Sequence, residues 1–178
     1  VSKLYTDGCS FTYGQGLDRK FSLASLLNAD VDKSMPGKSN QLIVHDIYKN
    51  LEDYDTFVIG LTYSNRITLW NGDKPFGVFP NVKGCPVSGL EEMFLIFVKV
   101  YYMLFNSSYT NTLSDFYADS LIELFKNNNK KFIIFSLEKR RNKHSKLIMY
   151  PSINKKLADG HYNEQGMIEL AELIKEKL

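Results

Sequence analysis

The sequence predicts an α/β fold, a three-layer α/β/α sandwich around a mainly parallel central sheet of about five strands. Three observations predict it. Short apolar runs rich in β-branched and aromatic residues alternate with stretches whose apolar residues recur at helical spacing. Two of those runs, Asp55–Leu61 (DTFVIGL) and Lys131–Leu137 (KFIIFSL), are nearly continuous in apolar side chains, the pattern of strands covered by helices on both faces. Strands alternating with helices in this way join parallel neighbours through crossover connections. With 178 residues the chain is expected to form one domain, 1–178, with a substantial core.

Taken in order, Leu4–Thr6 reads as the first strand and Phe21–Asn28 as a helix. Ala29–Met35 contains a short second strand. Ser39 caps a helix running to Asn50, because Leu42, Ile43, Ile47 and Leu51 fall on one helical face. Asp55–Leu61 is the strongest central strand, and Lys131–Leu137 the next. Glu91–Asn106 and Leu113–Asn127 read as helices. The last helix spans about Asn163–Lys177, with Met167, Leu170, Ala171 and Ile174 facing the core.

Two regions exceed a minimal sandwich. Residues 66–90, rich in Gly and Pro and carrying Trp70, Phe76 and Phe79, read as an insertion that forms a lid over the site. Glu138–Asn154, which opens with EKRRNKHSK, is either a loop or a loop carrying a short fifth strand.

Composition narrows the function classes. A hydrophobic fraction of 44% with 24% charged residues and no low-complexity tract describes an ordered globular chain. The net charge of +2 is too small to make nucleic acid the expected partner. Cys9 and Cys85 form no disulfide framework, and no cysteine–histidine cluster suggests a metal, so no cofactor is expected. The most apolar segment, Met93–Phe105, is interrupted by Lys99 and falls short of the roughly 20 residues a bilayer span needs. No membrane span is expected. That helix is either buried in the monomer or covered by a second copy in a homo-oligomer. No signal peptide is visible, which makes the location cytoplasmic by default, unless the chain is carried on a larger particle.

The chemistry concentrates at the two ends. Gly8-Cys9-Ser10-Phe11-Thr12-Tyr13-Gly14 follows the first strand and sets a serine in a small-residue turn leading to a helix. Asp159-Gly160-His161 presents an imidazole beside a carboxylate just before the last helix. A serine hydroxyl becomes a useful nucleophile when a base takes its proton, and a carboxylate holds that base in the right tautomer. Each feature also has a plainer reading. Ser10 can be a turn or helix cap, Asp159 a loop acid, and Gly37 a turn residue. The other histidines are placed less suggestively, His45 within a helix and His144 in a basic run that reads as a solvated face. In parallel sheets of this kind, ligands bind beyond the carboxyl ends of the strands. The Ser10 turn, the Gly37 loop and the segment after Leu61 all follow strands at that end.

Four blocks in order resemble those of the SGNH (GDSL-type) hydrolases: GCSFTYGQG, SMPGKSNQLI, FVIGLTYSN and DGHYNEQG. They extend over nearly the whole chain. The resemblance implies the SGNH hydrolase fold, with a flavodoxin-like sheet, and Ser10 as nucleophile, His161 as general base and Asp159 as its orienting acid. It implies an oxyanion hole from the backbone N–H groups of Ser10 and Gly37. Where the family's third block has an asparagine side chain, this chain has Thr62; Asn65 and Asn40 are the alternatives for that donor. The chain departs from the pattern also at Cys9, where an aspartate is usual, and in the Asp-Gly-His spacing.

The implied activity is hydrolysis of an O-acyl ester through an acyl-enzyme on Ser10. A small-molecule or carbohydrate ester is the expected partner, for instance an acetyl ester of a sugar. Trp70, Phe76 and Phe79 are candidates for stacking on a sugar ring, or a small satellite core. An acyltransferase using the same intermediate, and a catalytically weak relative that binds saccharide or protein, are the alternatives. A phosphate binder using the hydroxyl-rich turn at Ser10 is a third class, which leaves the Asp159/His161 block unexplained.

Overall fold

In the computed structural model, which describes residues 2–80, 82, 85, 87–104, 107–137, 147–149 and 155–178, the elements run β1 (Leu4–Gly8), α1 (Ser10–Tyr13), a 3-10 turn (Arg19–Phe21), α2 (Leu23–Leu27), β2 (Val31–Asp32), α3 (Asn40–Asn50), β3 (Thr56–Leu61), β4 (Ile67–Asn71), β5 (Lys74–Val78), α4 (Glu91–Leu104), α5 (Ser107–Asn127), β6 (Lys131–Ser136), β7 (Leu147–Met149) and α6 (Glu164–Lys175). The main sheet has the order β2-β1-β3-β6-β7, with every pairing parallel. Gly8 lies beside Gly60 and Leu61 beside Ser136, so the carboxyl ends of the strands align along one edge.

Side-chain alternation along the central strands decides the layers. Phe57, Ile59 and Leu61 of β3, with Phe132 and Ile134 of β6, face one side. There they join Ile43 and Ile47 of α3 and Leu121, Ile122 and Phe125 of α5. Val58, Ile133 and Phe135 face the other side, against Leu23 and Leu27 of α2 and Met167, Leu170 and Ile174 of α6. Both faces are dry, and this is why the two strands read as unbroken apolar runs. The expected three-layer α/β/α sandwich is the observed fold.

Several element boundaries differ from expectation. The helix read at Phe21–Asn28 divides into a 3-10 turn and α2 because the Ser22 side chain caps α2, accepting from the Ser25 N–H. The helix expected from Leu113 begins at Ser107. The fifth strand, one of two readings for Glu138–Asn154, is β7. The basic run that opens this segment lies outside the described residues.

Residues 66–90 contain an antiparallel hairpin, β4–β5, that the sequence reading left as an irregular excursion. The signal was present: Asn71-Gly72 between ITLW and KPFGV is a hairpin turn pattern, and Gly72 takes φ +58°. The hairpin rests on the start of α3. Ser39 Oγ lies 2.6 Å from Thr68 Oγ1, and the Thr68 N–H donates to Gln41 Oε1 at 2.8 Å. Its other face joins α4 in a third, small cluster of Val78, Phe94 and Val98. Beyond that contact α4 leaves Met93, Ile96, Phe97, Val100, Met103 and Leu104 exposed. Among the described residues no helix is long and apolar enough to cross a membrane.

Candidate active site

The nucleophile turn is built where β1 ends. After Gly8 the chain turns at Cys9, which is fully buried, and enters the single helical turn α1 at Ser10. Gly14 closes that turn in the left-handed region, φ +75°, and donates its N–H to the Ser10 carbonyl. Thr12 anchors the turn from below. A Cβ at Gly8 or at Gly60 would collide with Thr12 Oγ1, so the close approach of α1 to β1 and β3 requires both glycines.

The base arrives from the other end of the chain. Lys156 bridges Tyr162, Leu157 N–H donates to the His161 carbonyl at 2.7 Å, and Gly160 N–H donates to the Leu157 carbonyl at 3.0 Å. Gly160 takes φ +87° in this tight turn. Tyr162 is buried in the core cluster of α6, and Asn163 caps that helix by accepting from the Gly166 N–H. His161 is thereby held over α1. Its Nε2 lies 2.9 Å from Ser10 Oγ, across 151 positions of sequence, and the Phe11 ring packs on the imidazole at 4.4 Å between centroids. Ser10 is 4% exposed, so the pair is recessed.

Asp159 stands beside the imidazole. Its Oδ1 accepts from the His161 backbone N–H at 3.1 Å, and its Oδ2 is 3.0 Å from Nδ1. That second contact is close but off the line of a good hydrogen bond, so among the described residues Nδ1 is buried without an aligned acceptor. The His161 N–H holds the Asp159 carboxyl below the usual carboxylate range. The Asp159 side chain is 52% exposed against 14% for His161, so water screens its charge.

The Gly37 loop forms a tight turn, Met35–Lys38. Pro36 occupies its second position, Gly37 its third at φ +78°, and the Lys38 N–H donates to the Met35 carbonyl at 3.3 Å. Met35 N–H donates in turn to the Gly8 carbonyl at 3.1 Å. Among the described residues neither the Ser10 nor the Gly37 backbone N–H has an internal acceptor. Thr62, at the carboxyl end of β3, is fully buried, and its Oγ1 has no hydrogen-bond partner among the described residues.

The other candidates are placed differently. The carboxamide of Asn40 is engaged with the backbone of Thr62: Nδ2 donates to the Thr62 carbonyl at 3.0 Å, and Oδ1 accepts from its N–H at 2.8 Å. It therefore orients Thr62 instead of facing outward as a third donor. Asn65 offers its carbonyl to the Tyr102 hydroxyl. Of the three aromatic residues, only Phe79 lies at the turn, where a Cβ on Gly37 would meet its ring at 3.4 Å. Trp70 packs on His45 and Phe76 on Phe94, both in the hairpin region.

Sequence reading missed one group, the buried Asp7 carboxylate and Lys38 ammonium with the partly exposed Asp46. Lys38 Nζ lies 2.6 Å from Asp7 Oδ1 and 2.6 Å from Asp46 Oδ2. Only position could have flagged them, Asp7 at the end of an apolar strand and Lys38 between the turn glycine and the cap of α3.

No protein-family model and no curated protein matches the chain. Solved structures do. TesA superposes with a TM-score of 0.58 at 15% identity, over 99% of this chain and 97% of its own. The psychrotrophic esterase EstA from Pseudoalteromonas sp., in a form inhibited by monoethylphosphonate, gives 0.54 at 10% identity over 99% and 96%. A structure described as a lipolytic protein of the G-D-S-L family, from Desulfitobacterium hafniense DCB-2, gives 0.55 at 11% identity over the full length of both chains. At such identities the likeness is one of fold, and the fold is that of the SGNH (GDSL-type) hydrolases.

Proposed function

We propose that the chain is a serine ester hydrolase with Ser10 as nucleophile, His161 as general base and Asp159 as the acid beside it. The observation that carries the reading is the 2.9 Å separation of Ser10 Oγ and His161 Nε2, which is hydrogen-bond reach. In this reading Ser10 Oγ attacks the ester carbonyl carbon as its proton passes to Nε2. The tetrahedral intermediate collapses, the acyl–oxygen bond breaks, and the departing alcohol takes that proton. Water then attacks the acyl-enzyme, with His161 accepting its proton and returning it to Ser10 as the carboxylic acid leaves.

The negative charge on the carbonyl oxygen needs fixed donors. The N–H groups of Ser10 and Gly37, without an acceptor among the described residues, support that role, and the Thr62 hydroxyl is the third donor. A buried hydroxyl without a partner costs about 1–3 kcal/mol, and such a group in a native fold calls for a functional reason. Phe79, against Gly37, is the aromatic surface that a substrate entering past the turn would meet.

Hydrolysis of a short-chain aryl ester tests the reading. Ser10→Ala and His161→Ala are each expected to lower kcat by about a thousand-fold or more. A serine-directed phosphonate is expected to label the native chain and spare Ser10→Ala. Wild-type turnover in either variant defeats the assignment.

A further inference from the structure

Lys38 is 1% exposed, and its side chain is wholly buried. A lysine is found there only when its charge is matched. Its three ammonium hydrogens meet three acceptors: Asp7 Oδ1 and Asp46 Oδ2 at 2.6 Å each, and the Lys33 carbonyl at 2.9 Å. Asp7 is equally engaged. Its Oδ1 also accepts from the Gly8 N–H at 2.6 Å, and its Oδ2 accepts from the Tyr5 hydroxyl at 3.1 Å. Asp46 has the Nδ1 of His45 3.3 Å from its other oxygen.

Stability is a poor reason for this arrangement. Removing charges from water costs about as much as a buried pair returns, and apolar replacements are often neutral or better. The balance is visible at Asp7: burial pushes its carboxyl up to about 7, even with the Lys38 ammonium beside it. What the cluster does supply is geometry. Asp7 lies three residues before Ser10 at the end of β1, Lys33 in the loop after β2, and Asp46 within α3. Lys38 itself directly follows Gly37, so one ammonium ties the nucleophile strand, the loop and the helix behind it at a single point.

We infer that Lys38 is a positioning residue: bonded to Asp7 and Asp46, it sets the Gly37 N–H at a fixed distance from Ser10, so that both donors are preorganised for the oxyanion. This role rests on the ester-hydrolase reading of Ser10 and Gly37. Misplacement of a donor by about 1 Å is enough to cost about 100-fold in rate, and the backbone link from Met35 to Gly8 alone leaves the turn one anchor on β1.

The decisive variant is the pair Asp7→Asn with Lys38→Met, which removes both buried charges together, keeps an acceptor for the Gly8 N–H and offers the Tyr5 hydroxyl, which can turn to accept, an amide donor. Measured on folded protein with a short-chain aryl ester, kcat is expected to fall about 10- to 100-fold while KM stays within about two-fold. The rate of serine phosphonylation is expected to fall by the same factor, since it uses the same donors. Asp46→Asn, which alters the partly exposed anchor and leaves the fold least disturbed, is expected to lower kcat by about three- to ten-fold. Unchanged kcat and labelling rate in either folded variant overturn the positioning role while leaving the hydrolase reading intact. A wild-type chain that neither turns over ester nor takes the phosphonate overturns the hydrolase reading, and the positioning role with it.

Discussion

The two halves of the Ser10–His161 pair are held by opposite means. The head, Ser10 with its turn, sits on the ends of β1 and β3 with Thr12 fully buried beneath it and the Asp7–Lys38–Asp46 cluster alongside. The tail, His161, comes on a short surface turn fastened by three backbone hydrogen bonds, two of which form the Lys156–Tyr162 bridge, and by the buried ring of Tyr162. Its acid is half in water. A nucleophile and an oxyanion hole must keep fixed distances through the reaction, so they belong on the rigid sheet end. An imidazole that passes a proton back and forth tolerates a lighter mount, provided that Phe11 and Tyr162 keep its ring over α1.

Adding a methyl group to each half contrasts the two mounts most strongly. Gly60→Ala drives a Cβ into Thr12 Oγ1 and to within 2.8 Å of the Phe135 ring, and is expected to cost about 3 kcal/mol in denaturant melts, together with most of the activity. Gly160→Ala meets nothing within 4 Å among the described residues and suffers from its positive φ, a loss of about 1 kcal/mol. Equal losses would erase the contrast.

Thr62→Val probes the head without filling space. Removing the unpaired hydroxyl is expected to lower kcat about 10- to 100-fold at little changed KM, with thermal stability equal to or slightly above wild type. An unaffected kcat would leave the oxyanion to the two backbone donors. For the tail, Asp159→Asn is expected to cost about ten-fold or less in kcat/KM, because the carboxylate is solvent-screened and poorly aligned with Nδ1. A loss of several thousand-fold would show Asp159 acting as a tightly coupled triad acid.

A further effect is on pH. In the folded chain the Asp7 carboxyl, raised by burial to about 7, keeps its proton where the unfolded chain has released it near its ordinary value of 3.8. Unfolding then releases a proton between those values, so the contribution of Asp7 to stability is present at about pH 4 and declines as pH rises towards 7. Denaturant titrations at pH 5 and 7 are expected to show this slope, and Asp7→Asn to flatten it. A slope of the same size in Asp7→Asn would assign it to another group.

The sheet was legible where side-chain alternation leaves no choice. Asp55–Leu61 and Lys131–Leu137 carry apolar residues on both faces, which only a covered central strand satisfies. The hairpin was missed because exposed Trp70 and half-buried Phe76 read as loop aromatics until the Asn71-Gly72 turn is given its full weight. Lys38 was missed for a different reason. A lysine in a loop is ordinarily solvated, and nothing in its neighbours along the chain says that Asp7 and Asp46 converge on it.

Local chemistry in the chain therefore settled the alternation of strands and helices, the cap at Ser39, and the glycine turns that present Ser10 and His161. Those are properties of adjacent residues: periodicity, capping and backbone sterics act over a few positions. The 2.9 Å approach of Ser10 to His161, the engagement of Asn40 with Thr62 and the burial of Lys38 were decided by the packed fold alone. Each joins segments distant in sequence, and its energy depends on desolvation and on angles that exist only once the sheet has brought those segments together.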